Sequence, residues 1–317
     1  MIEVERLEKT YGFARALTGI SFSVRKGEVV GFLGPNGAGK STTMKILTGY
    51  LLPTAGRASV DGLDCVRHSR AVRARIGYLP ESTPLYQEMR VDDYLGFVAD
   101  IRGVAARDRK RAIARSVDLC GLERVTGKNI VELSKGYKQR VGLAQAIVHE
   151  PPVLILDEPT SGLDPNQIIE VRNLIERLGE EHTVVLSTHY LQEVEKSCTR
   201  VIIVDRGEIV ADGTREELIA SRPPGGVLLR VRGPEDAVVG QLRELLPASG
   251  AVEVLHREGA VADYRVAVAD RSAPLDEALA RLVVKNGWDL LSLQRELPSL
   301  EDVFRDLTTG EREVAHA

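Results

Sequence analysis

The sequence predicts an α/β fold whose largely parallel sheet is interrupted by a helical insertion and then resumed. Short apolar runs without charged residues, typical of buried parallel strands, lie at residues 29–33, 153–156, 183–187 and 201–204. Between the first and second of these runs, apolar residues recur at helical spacing from about residue 91 to residue 148. A proline- and glycine-rich segment at 221–226 then precedes a second alternation of strands and helices, which predicts a small C-terminal α+β domain.

The first 80 residues alternate β-type runs with turns, and the runs lie at residues 2–5, 20–24, 29–33 and 56–60. This alternation predicts a mixed sheet. We expect the sheet to surround the glycine-rich turn that follows residue 33.

A glycine-rich turn lies between the strand predicted at 29–33 and a helix predicted at 42–48. It fits the phosphate-loop pattern GxxxxGK[ST], in which backbone N–H groups and a lysine surround phosphates and a hydroxyl reaches Mg²⁺. The residues are Gly34, Pro35, Asn36, Gly37, Ala38, Gly39, Lys40, Ser41 and Thr42. The turn therefore predicts a bound nucleoside triphosphate, but it leaves kinases, GTPases, helicases and transport ATPases open.

Two adjacent carboxylates, Asp157 and Glu158, end the apolar strand at 153–156. One carboxylate at a strand tip can order the water shell of Mg²⁺, and the next can polarise an attacking water. On spacing alone such a pair is more often a surface turn. The phosphate loop upstream favours hydrolysis.

Ser134 and Gly136 stand just before a helix predicted over 139–148. A hydroxyl and a free N–H at a helix start form an anion-binding terminus. It is too far along the chain to be assumed part of the first site.

With these motifs in this order, residues 2 to about 222 strongly resemble an ATP-binding cassette (ABC) ATPase, the nucleotide-binding subunit of an ABC transporter. The resemblance implies a P-loop NTPase fold of the ABC cassette type, with ATP and Mg²⁺ as ligands. It makes residues 34–42 the Walker A loop, Tyr11 the aromatic that stacks on adenine, and 133–137 the signature. In that signature, Ser134 and Gly136 contact the ATP of an opposing subunit.

The resemblance also implies which residues carry out hydrolysis. Glu158 is the catalytic base, His189 is the switch histidine at the γ-phosphate, and Lys40 binds the β/γ oxygens. The metal is expected to lie against Ser41, Glu81 and Asp157.

Two positions depart from the family pattern. Glu81 stands where the family usually has glutamine, so it accepts from a Mg²⁺-bound water but lacks the amide donor. Lys135 adds a cation to the signature. These variants look like the gliding-motility-type branch of multidrug and exporter ATPases, and the tail at 298–304 is similar to an extension common in that branch.

The family works as a head-to-tail pair, and this chain holds one half of each of two sites. We therefore expect a homodimer or a pair with a related subunit. ATP-driven closure of the pair would be transmitted to a separate transmembrane permease. The resemblance implies that the permease docks on residues 81–89 and the helices after them. The basic run at 102–115 could face anionic headgroups, but a solvated helix face is favoured.

Composition indicates a soluble globular protein in the cytoplasm, peripheral on the cytoplasmic face of the membrane by the resemblance. The chain has 317 residues, 43% hydrophobic and 28% charged. No run approaches the roughly 18 apolar residues of a membrane span, and the N-terminus lacks secretory-signal features. Cys65, Cys120 and Cys198 lack disulfide or zinc spacing. A net charge of −4 without a basic tail indicates no nucleic-acid partner.

Beyond residue 226, the predicted order is strand (227–231), helix (235–246), two strands (252–256, 264–268), helix (274–286) and strand (290–294). This order favours a ferredoxin-like domain. We therefore expect one domain over 1–222, with a helical subdomain at about 82–150, and a second domain over 223–317. The second domain is interpreted as a regulatory or dimer-contact element, or as a packing appendage.

Two other functions remain open at this level. The chain could be a soluble ABC protein that acts on ribosomes or DNA, although such proteins carry two cassettes or a long coiled-coil insertion. It could also be a nucleotide-gated regulatory module in which Glu81 and Lys135 have lowered the rate of ATP hydrolysis.

Overall fold

The computed structural model describes residues 1–221, 226–247, 250–267, 275–296 and 299–309. Its contacts divide the chain into two compact units, one of Met1–Arg215 with the chain from Phe304 onward, and one of Glu216–Val303. The domain boundary predicted at 222/223 falls outside the described residues and stays a prediction. Pro298 of the predicted tail motif also lies outside them.

The described residues of the first unit form ten strands, which are β1 (Ile2–Tyr11), β2 (Ala14–Val24), β3 (Val29–Leu33), β4 (Ala55–Val60), β5 (Leu63–Asp64), β6 (Ile76–Leu79), β7 (Val153–Asp157), β8 (Thr183–Thr188), β9 (Arg200–Asp205) and β10 (Glu208–Gly213). Its helices up to residue 197 are α1 (Lys40–Leu47), α2 (Ser69–Ala74), α3 (Val91–Ile101), α4 (Ala106–Cys120), α5 (Lys135–Ile147), α6 (Pro165–Gly179) and α7 (Leu191–Ser197), with a 3₁₀ turn at Ile130–Glu132. Helix α8 (Arg215–Ala220) follows β10.

A six-stranded sheet in the order β10-β9-β3-β8-β7-β6 forms the centre of the first unit. All its pairings are parallel except that of the edge strand β10 with β9. Strands β3, β7 and β8 are buried along their whole length, since apolar clusters cover both faces of the sheet. This explains why their sequences are continuous apolar runs.

The register of the sheet brings the carboxyl ends of three strands together. Leu33 of β3 pairs with Thr188 of β8, and Asp157 of β7 pairs with Ser187 of β8. The loops that follow these strands carry the glycine-rich turn, Glu158 and His189. In open parallel sheets, this edge is where ligands bind.

The structure differs from the single mixed sheet expected for the first 80 residues. Strands β1, β2, β4 and β5 form a separate antiparallel sheet in the order β2-β1-β4-β5, while β3 and β6 belong to the parallel sheet. The physical reason is visible in β1, whose N-terminal half alternates buried and exposed residues, as in a sheet with one covered face.

Helices α3, α4 and α5 lie within the helical subdomain predicted at 82–150. Residues of all three belong to one apolar cluster with residues of α6 and β7, including Leu95, Val117, Val141 and Leu154. Helix α5 begins at Lys135 rather than at 139, because Ser134 caps it.

The second unit has the element order of the ferredoxin-like prediction. Its elements are β11 (Val227–Arg232), α9 (Glu235–Leu245), β12 (Ala251–Glu258), β13 (Val261–Ala267), α10 (Leu275–Lys285) and β14 (Asp289–Arg295), and α11 (Leu300–Thr309) follows. The sheet order is β12-β13-β11-β14 with every pairing antiparallel. Its core contains Leu229, Val238, Tyr264 and Leu279.

Across the described ranges, no helix is both long enough and apolar enough to cross a membrane.

Candidate functional site

A cleft of about 580 Å³ lies at the carboxyl edge of the parallel sheet. Most of the site residues that the sequence predicts line it, and they come from four separate stretches of the chain. The lining residues are Ala16, Asn36, Gly37, Ala38, Gly39, Lys40, Ser41, Thr42, Glu81, Glu158, Ser161, His189 and Tyr190. The structure therefore brings the glycine-rich loop, the strand-tip carboxylate and the histidine to one place.

The loop needs glycine at its ends because of close backbone approach. Gly39 has φ +107° and caps α1, and a β-carbon there would lie 2.7 Å from the carbonyl oxygen of Ala16. At Gly34, a β-carbon would overlap the carbonyl oxygen of Val204. The backbone can thus curve over the start of α1, where the N–H groups are free to bind an anion.

Lys40 is 5% exposed and lies at the floor of the cleft. Its ammonium group donates to the carbonyl oxygens of Gly34 at 2.8 Å and Pro35 at 3.2 Å. It also lies 3.5 Å from Oε1 of Glu158. Gly34 and Pro35 do not line the cleft, but they hold its cation.

Asp157 lies behind Ser41 and is 1% exposed. The Ser41 hydroxyl donates to Oδ1 of Asp157 at 3.0 Å, and the Ser187 hydroxyl donates to the same oxygen at 2.5 Å. Burial raises the pKa of the nearby Tyr78 phenol, and the charge of Asp157 raises it further.

Glu158 has a left-handed backbone, φ +50°, which non-glycine residues rarely adopt. Its amide donates to the carbonyl of Ser187 at 3.0 Å and to the hydroxyl of Ser187 at 3.2 Å. Its Oε2 lies 2.7 Å from Nδ1 of His189. These bonds aim the side chain into the cleft, and they explain how the residue holds an unfavourable conformation.

Tyr11, Ser134 and Gly136 do not line the cleft. Tyr11 ends β1, is 47% exposed, and has the ammonium group of Lys9 at 5.2 Å from its ring centre. Ser134 is exposed and accepts a hydrogen bond from the amide of Tyr137 at 3.4 Å. Their predicted contacts with nucleotide stay predictions.

The start of α5 packs closely against α6. A β-carbon on Gly136 would lie 2.6 Å from the side-chain amide carbon of Gln167, so a larger residue there would displace the end of this side chain. Within the same region, a β-carbon on Gly162 would overlap Nζ of Lys135. The cation that the sequence adds to the signature therefore rests on the backbone of Gly162.

Sequence reasoning missed two contributors to the site. Ala16 and Tyr190 line the cleft, and the ring of Tyr190 lies 3.9 Å from that of His189, centre to centre. Ser161, which the resemblance places in the D-loop at 161–164, lines it as well. Tyr190 is a direct neighbour of His189, which was the available signal. Ala16 had none, because it comes from a hairpin distant in sequence.

The arrangement can bind an oligophosphate and hydrolyse it. The cleft combines a buried cation, free N–H groups, a carboxylate that can accept a proton and an imidazole in contact with that carboxylate. In the described part of the chain, no group of three or more His, Cys, Asp or Glu residues is placed to hold a metal. Ser41 and Asp157 nonetheless present two oxygen ligands side by side, which fits a Mg²⁺ ion that shares its other positions with phosphate and water.

Comparisons with known proteins identify the family. A family model described as ABC transporter matches residues 17–161. The linearmycin resistance ATP-binding protein LnrL of Bacillus subtilis (strain 168) is 33% identical over 313 residues, which cover 97% of this chain and 98% of the relative. The daunorubicin resistance ATP-binding protein DrrA3 of Streptomyces coeruleorubidus is 38% identical over 322 residues, covering 100% of this chain and 98% of the relative.

Solved structures show the same fold. An ATP-binding subunit of an ABC transporter matches with a TM-score of 0.64 and 33% identity, over 70% of this chain and 92% of that one. A bacterial ABC transporter cassette, MJ0796, solved in dimeric form, matches with a TM-score of 0.62 and 25% identity, over 68% of this chain and 98% of that one. With the phosphate loop, the strand-tip carboxylates and the histidine assembled in one cleft, the chain belongs to the ATP-binding proteins of the ABC transporter family and is an ABC-type ATPase.

Proposed function

We propose that this chain is the ATP-hydrolysing subunit of an exporter, in which two cassettes close around ATP beneath a separate membrane permease. The observation that carries the hydrolytic part is the contact of Glu158 with both Lys40 and His189 at the floor of the cleft. The relatives named for resistance to linearmycin and daunorubicin support export as the direction.

Binding begins with an exchange of partners at Lys40. Its ammonium group lies 3.5 Å from Oε1 of Glu158. Phosphate oxygens in the loop would compete for this cation, because they carry more negative charge than the loop carbonyls. Oε1 of Glu158 would then be released to accept a proton from the attacking water, which is the role of the base.

His189 keeps the other carboxylate oxygen in place, since Nδ1 contacts Oε2 at 2.7 Å. The side chain is thereby oriented before substrate arrives. The second ring nitrogen is left for the γ-phosphate, the role that the family resemblance gives it.

Mg²⁺ would be held by Ser41 and Asp157, with Glu81 facing the same cleft. When bound, the ion would neutralise charge that develops on the phosphate oxygens. Ser187 keeps Asp157 oriented for this purpose through its 2.5 Å hydrogen bond.

Tyr11 would stack on adenine, and Ser134 and Gly136 would bind the ATP of an opposing copy. The exposure of Tyr11 and Ser134 supports both roles, because each is accessible to a ligand outside the cleft. The relative solved in dimeric form supports the pairing. The pair would be a homodimer or include a related subunit, on the cytoplasmic face of the membrane.

The test is Glu158→Gln. We expect its ATPase turnover to fall by at least about 100-fold, while ATP still binds and drives a monomer to a dimer on size exclusion. Lys40→Ala should lose both ATP binding and association, because the buried cation is removed from the phosphates.

The matched control is Glu176→Gln, the same chemical change at an exposed position of α6. It should hydrolyse ATP at the wild-type rate. Wild-type turnover by the Glu158 variant would contradict the assignment of the base, and absence of ATP-dependent association would contradict the closing pair.

A further inference from the structure

Glu193 is a buried acidic residue that has no role in the hydrolysis mechanism proposed for Glu158 and His189. It lies on α7, four residues after His189, and is only 1% exposed. A carboxyl group is rarely buried to this degree without a partner. Its contacts therefore need an explanation.

The partner of Glu193 lies on the other catalytic segment. The hydroxyl group of Thr160, itself 2% exposed, donates to Oε1 of Glu193. Thr160 is two residues beyond Glu158, and the next residue, Ser161, donates from its amide to the carbonyl of Glu158 at 3.1 Å. One buried hydrogen bond thus joins the helix after His189 to the turn after Glu158.

The environment of the Glu193 carboxyl favours its uncharged form. Burial raises its pKa, and the negative charge of Glu158 acts in the same direction. The hydroxyl groups of Thr160 and Thr188 and the charge of Arg172 on α6 lower the pKa in part. Within the described residues, Oε2 is buried without a hydrogen-bond partner.

We propose that Glu193 is a positioning residue for hydrolysis, whose buried hydrogen bond to Thr160 holds His189 and Glu158 in the relative placement that the reaction uses. This inference rests on the roles proposed above for Glu158 and His189. Nucleotide binding does not depend on the bond between Thr160 and Glu193. In the described part of the chain, no residue of the phosphate loop at 34–42 forms a hydrogen bond to either of these two side chains.

The mechanism of this effect is geometric. His189 holds Oε2 of Glu158 at 2.7 Å, and a helix that shifts after loss of the Thr160 bond would lengthen this contact. Misplacement of a catalytic group by about 1 Å costs up to about 100-fold in rate. The loss should therefore fall on kcat and spare KM.

Four variants of the full-length chain test the proposal. Glu193→Ala and Thr160→Val each remove one side of the bond, and the double variant removes both. Glu193→Gln keeps the size of the side chain and an oxygen that can accept from Thr160. Glu195→Gln on the same helix is the matched control, because Glu195 pairs with Arg215 at 3.8 Å and not with the catalytic segments.

We expect Glu193→Ala and Thr160→Val each to lower kcat about tenfold, with KM for ATP within about twofold of wild type. The double variant should lose no more than about twofold beyond either single one, since both act through one bond. Glu193→Gln should retain at least about half of wild-type kcat, and so should the control. Multiplied losses in the double variant, or equal losses in Glu193→Gln and Glu193→Ala, would overturn the proposal.

A second readout separates this inference from the proposed function. Backbone hydrogen exchange at 158–162 and 187–192, measured without nucleotide, should speed up in Glu193→Ala and not in Glu193→Gln. If exchange responds in this way but Glu158→Gln hydrolyses ATP normally, the positioning bond stands and the assignment of the base fails. Unchanged exchange in Glu193→Ala would refute the positioning bond whatever the ATPase result.

Discussion

Lys135 places a positive charge at the start of α5. In the proposed pair of cassettes, this helix start faces the ATP bound by the partner. Lys135 lies between Ser134 and Gly136, the two residues proposed to bind the ATP of the opposing copy, and its side chain is exposed. In the single subunit its ammonium group rests on Gly162, a neutral backbone. A flexible cation in this position can move to an opposing phosphate without breaking a strong bond.

We predict that Lys135→Ala weakens the ATP-driven association of the Glu158→Gln variant by about 30-fold at low salt. A charge pair at about 4 Å in water is worth about 1 kcal/mol, and the loss of one pair at each of the two sites of the dimer corresponds to that factor. The difference should shrink as NaCl is raised, because salt screens exposed charges. Analytical ultracentrifugation at two salt concentrations measures it.

The control for this measurement is Lys138→Ala on the same helix, where the ammonium group reaches the carbonyl of Val131 at 3.3 Å. It should associate like the parent. Tighter association of the Lys135 variant, or a loss that does not respond to salt, would show that Lys135 does not face the opposing phosphates.

Glu193 also predicts a pH dependence of stability. Its pKa in the folded state is raised above the usual value of 4.5, mainly by burial. The unfolded state keeps the usual value, so the folded wild type loses stability as pH rises from there through the raised pKa. Glu193→Gln cannot ionise and escapes this loss. The urea midpoint of the variant relative to that of wild type should therefore rise as the pH is increased from about 4.5, and a difference that falls as the pH is increased would contradict the assignment.

The residues of the phosphate loop could be predicted from the sequence, whereas the role of Glu193 could not. Gly34, Gly39 and Lys40 were predictable because phosphate binding requires free backbone N–H groups and a cation in one short loop. Glu193 was not, because its partner Thr160 lies 33 residues away and only the packing of α7 against the neighbouring turn brings them together.

Among the elements, β6 shows why short strands escape prediction. Its four residues, Ile76–Leu79, are too few for a period, and they run directly into the motif that contains Glu81. The strand is fixed from outside, by parallel pairing with β7 on one side and by the close packing of α5. Helix α6, by contrast, begins with two start signals that are readable in the sequence, since Asp164 accepts from the amide of Gln167 at 3.0 Å and Pro165 occupies the first turn.

The packing of α5 on β6 leads to a prediction for Gly77. A β-carbon there would overlap the backbone carbonyl oxygen of Ala146, which cannot move without shifting α5. We expect Gly77→Ala to lower the free energy of unfolding by about 1 to 3 kcal/mol, the usual cost of overpacking. The urea midpoint, with the m value unchanged, measures it.

Gly96 gives the matched control, since it lies inside α3 and the nearest atom to an added β-carbon is Ile113 Cδ1 at 4.0 Å. Gly96→Ala should stabilise the protein by about 0.5 to 1 kcal/mol, through helix propensity and the unfolded chain. Equal destabilisation by both substitutions would mean that close packing at Gly77 is not the cause.

For the whole molecule, the important fact is that each of the two units has its own core. The first unit contains the two large apolar clusters around the parallel sheet, and the second contains a separate cluster around Tyr264. Every residue that lines the cleft lies between Ala16 and Tyr190, within the first unit. Nucleotide binding should therefore stabilise one unit directly and leave the other with its own stability.

We predict two thermal transitions for the full-length Glu158→Gln variant, of which ATP shifts only one. At an ATP concentration of about 100 times Kd, binding adds about 2.7 kcal/mol, which raises the Tm of a domain of this size by about 5 to 10 °C. Differential scanning calorimetry with and without ATP measures both transitions, and Lys40→Ala serves as the control because it should show no shift.

If ATP moved both transitions together, or if a single transition shifted as a whole, the two cores would unfold as one cooperative unit. In that case the C-terminal unit would be coupled to the nucleotide state, as a regulatory domain requires.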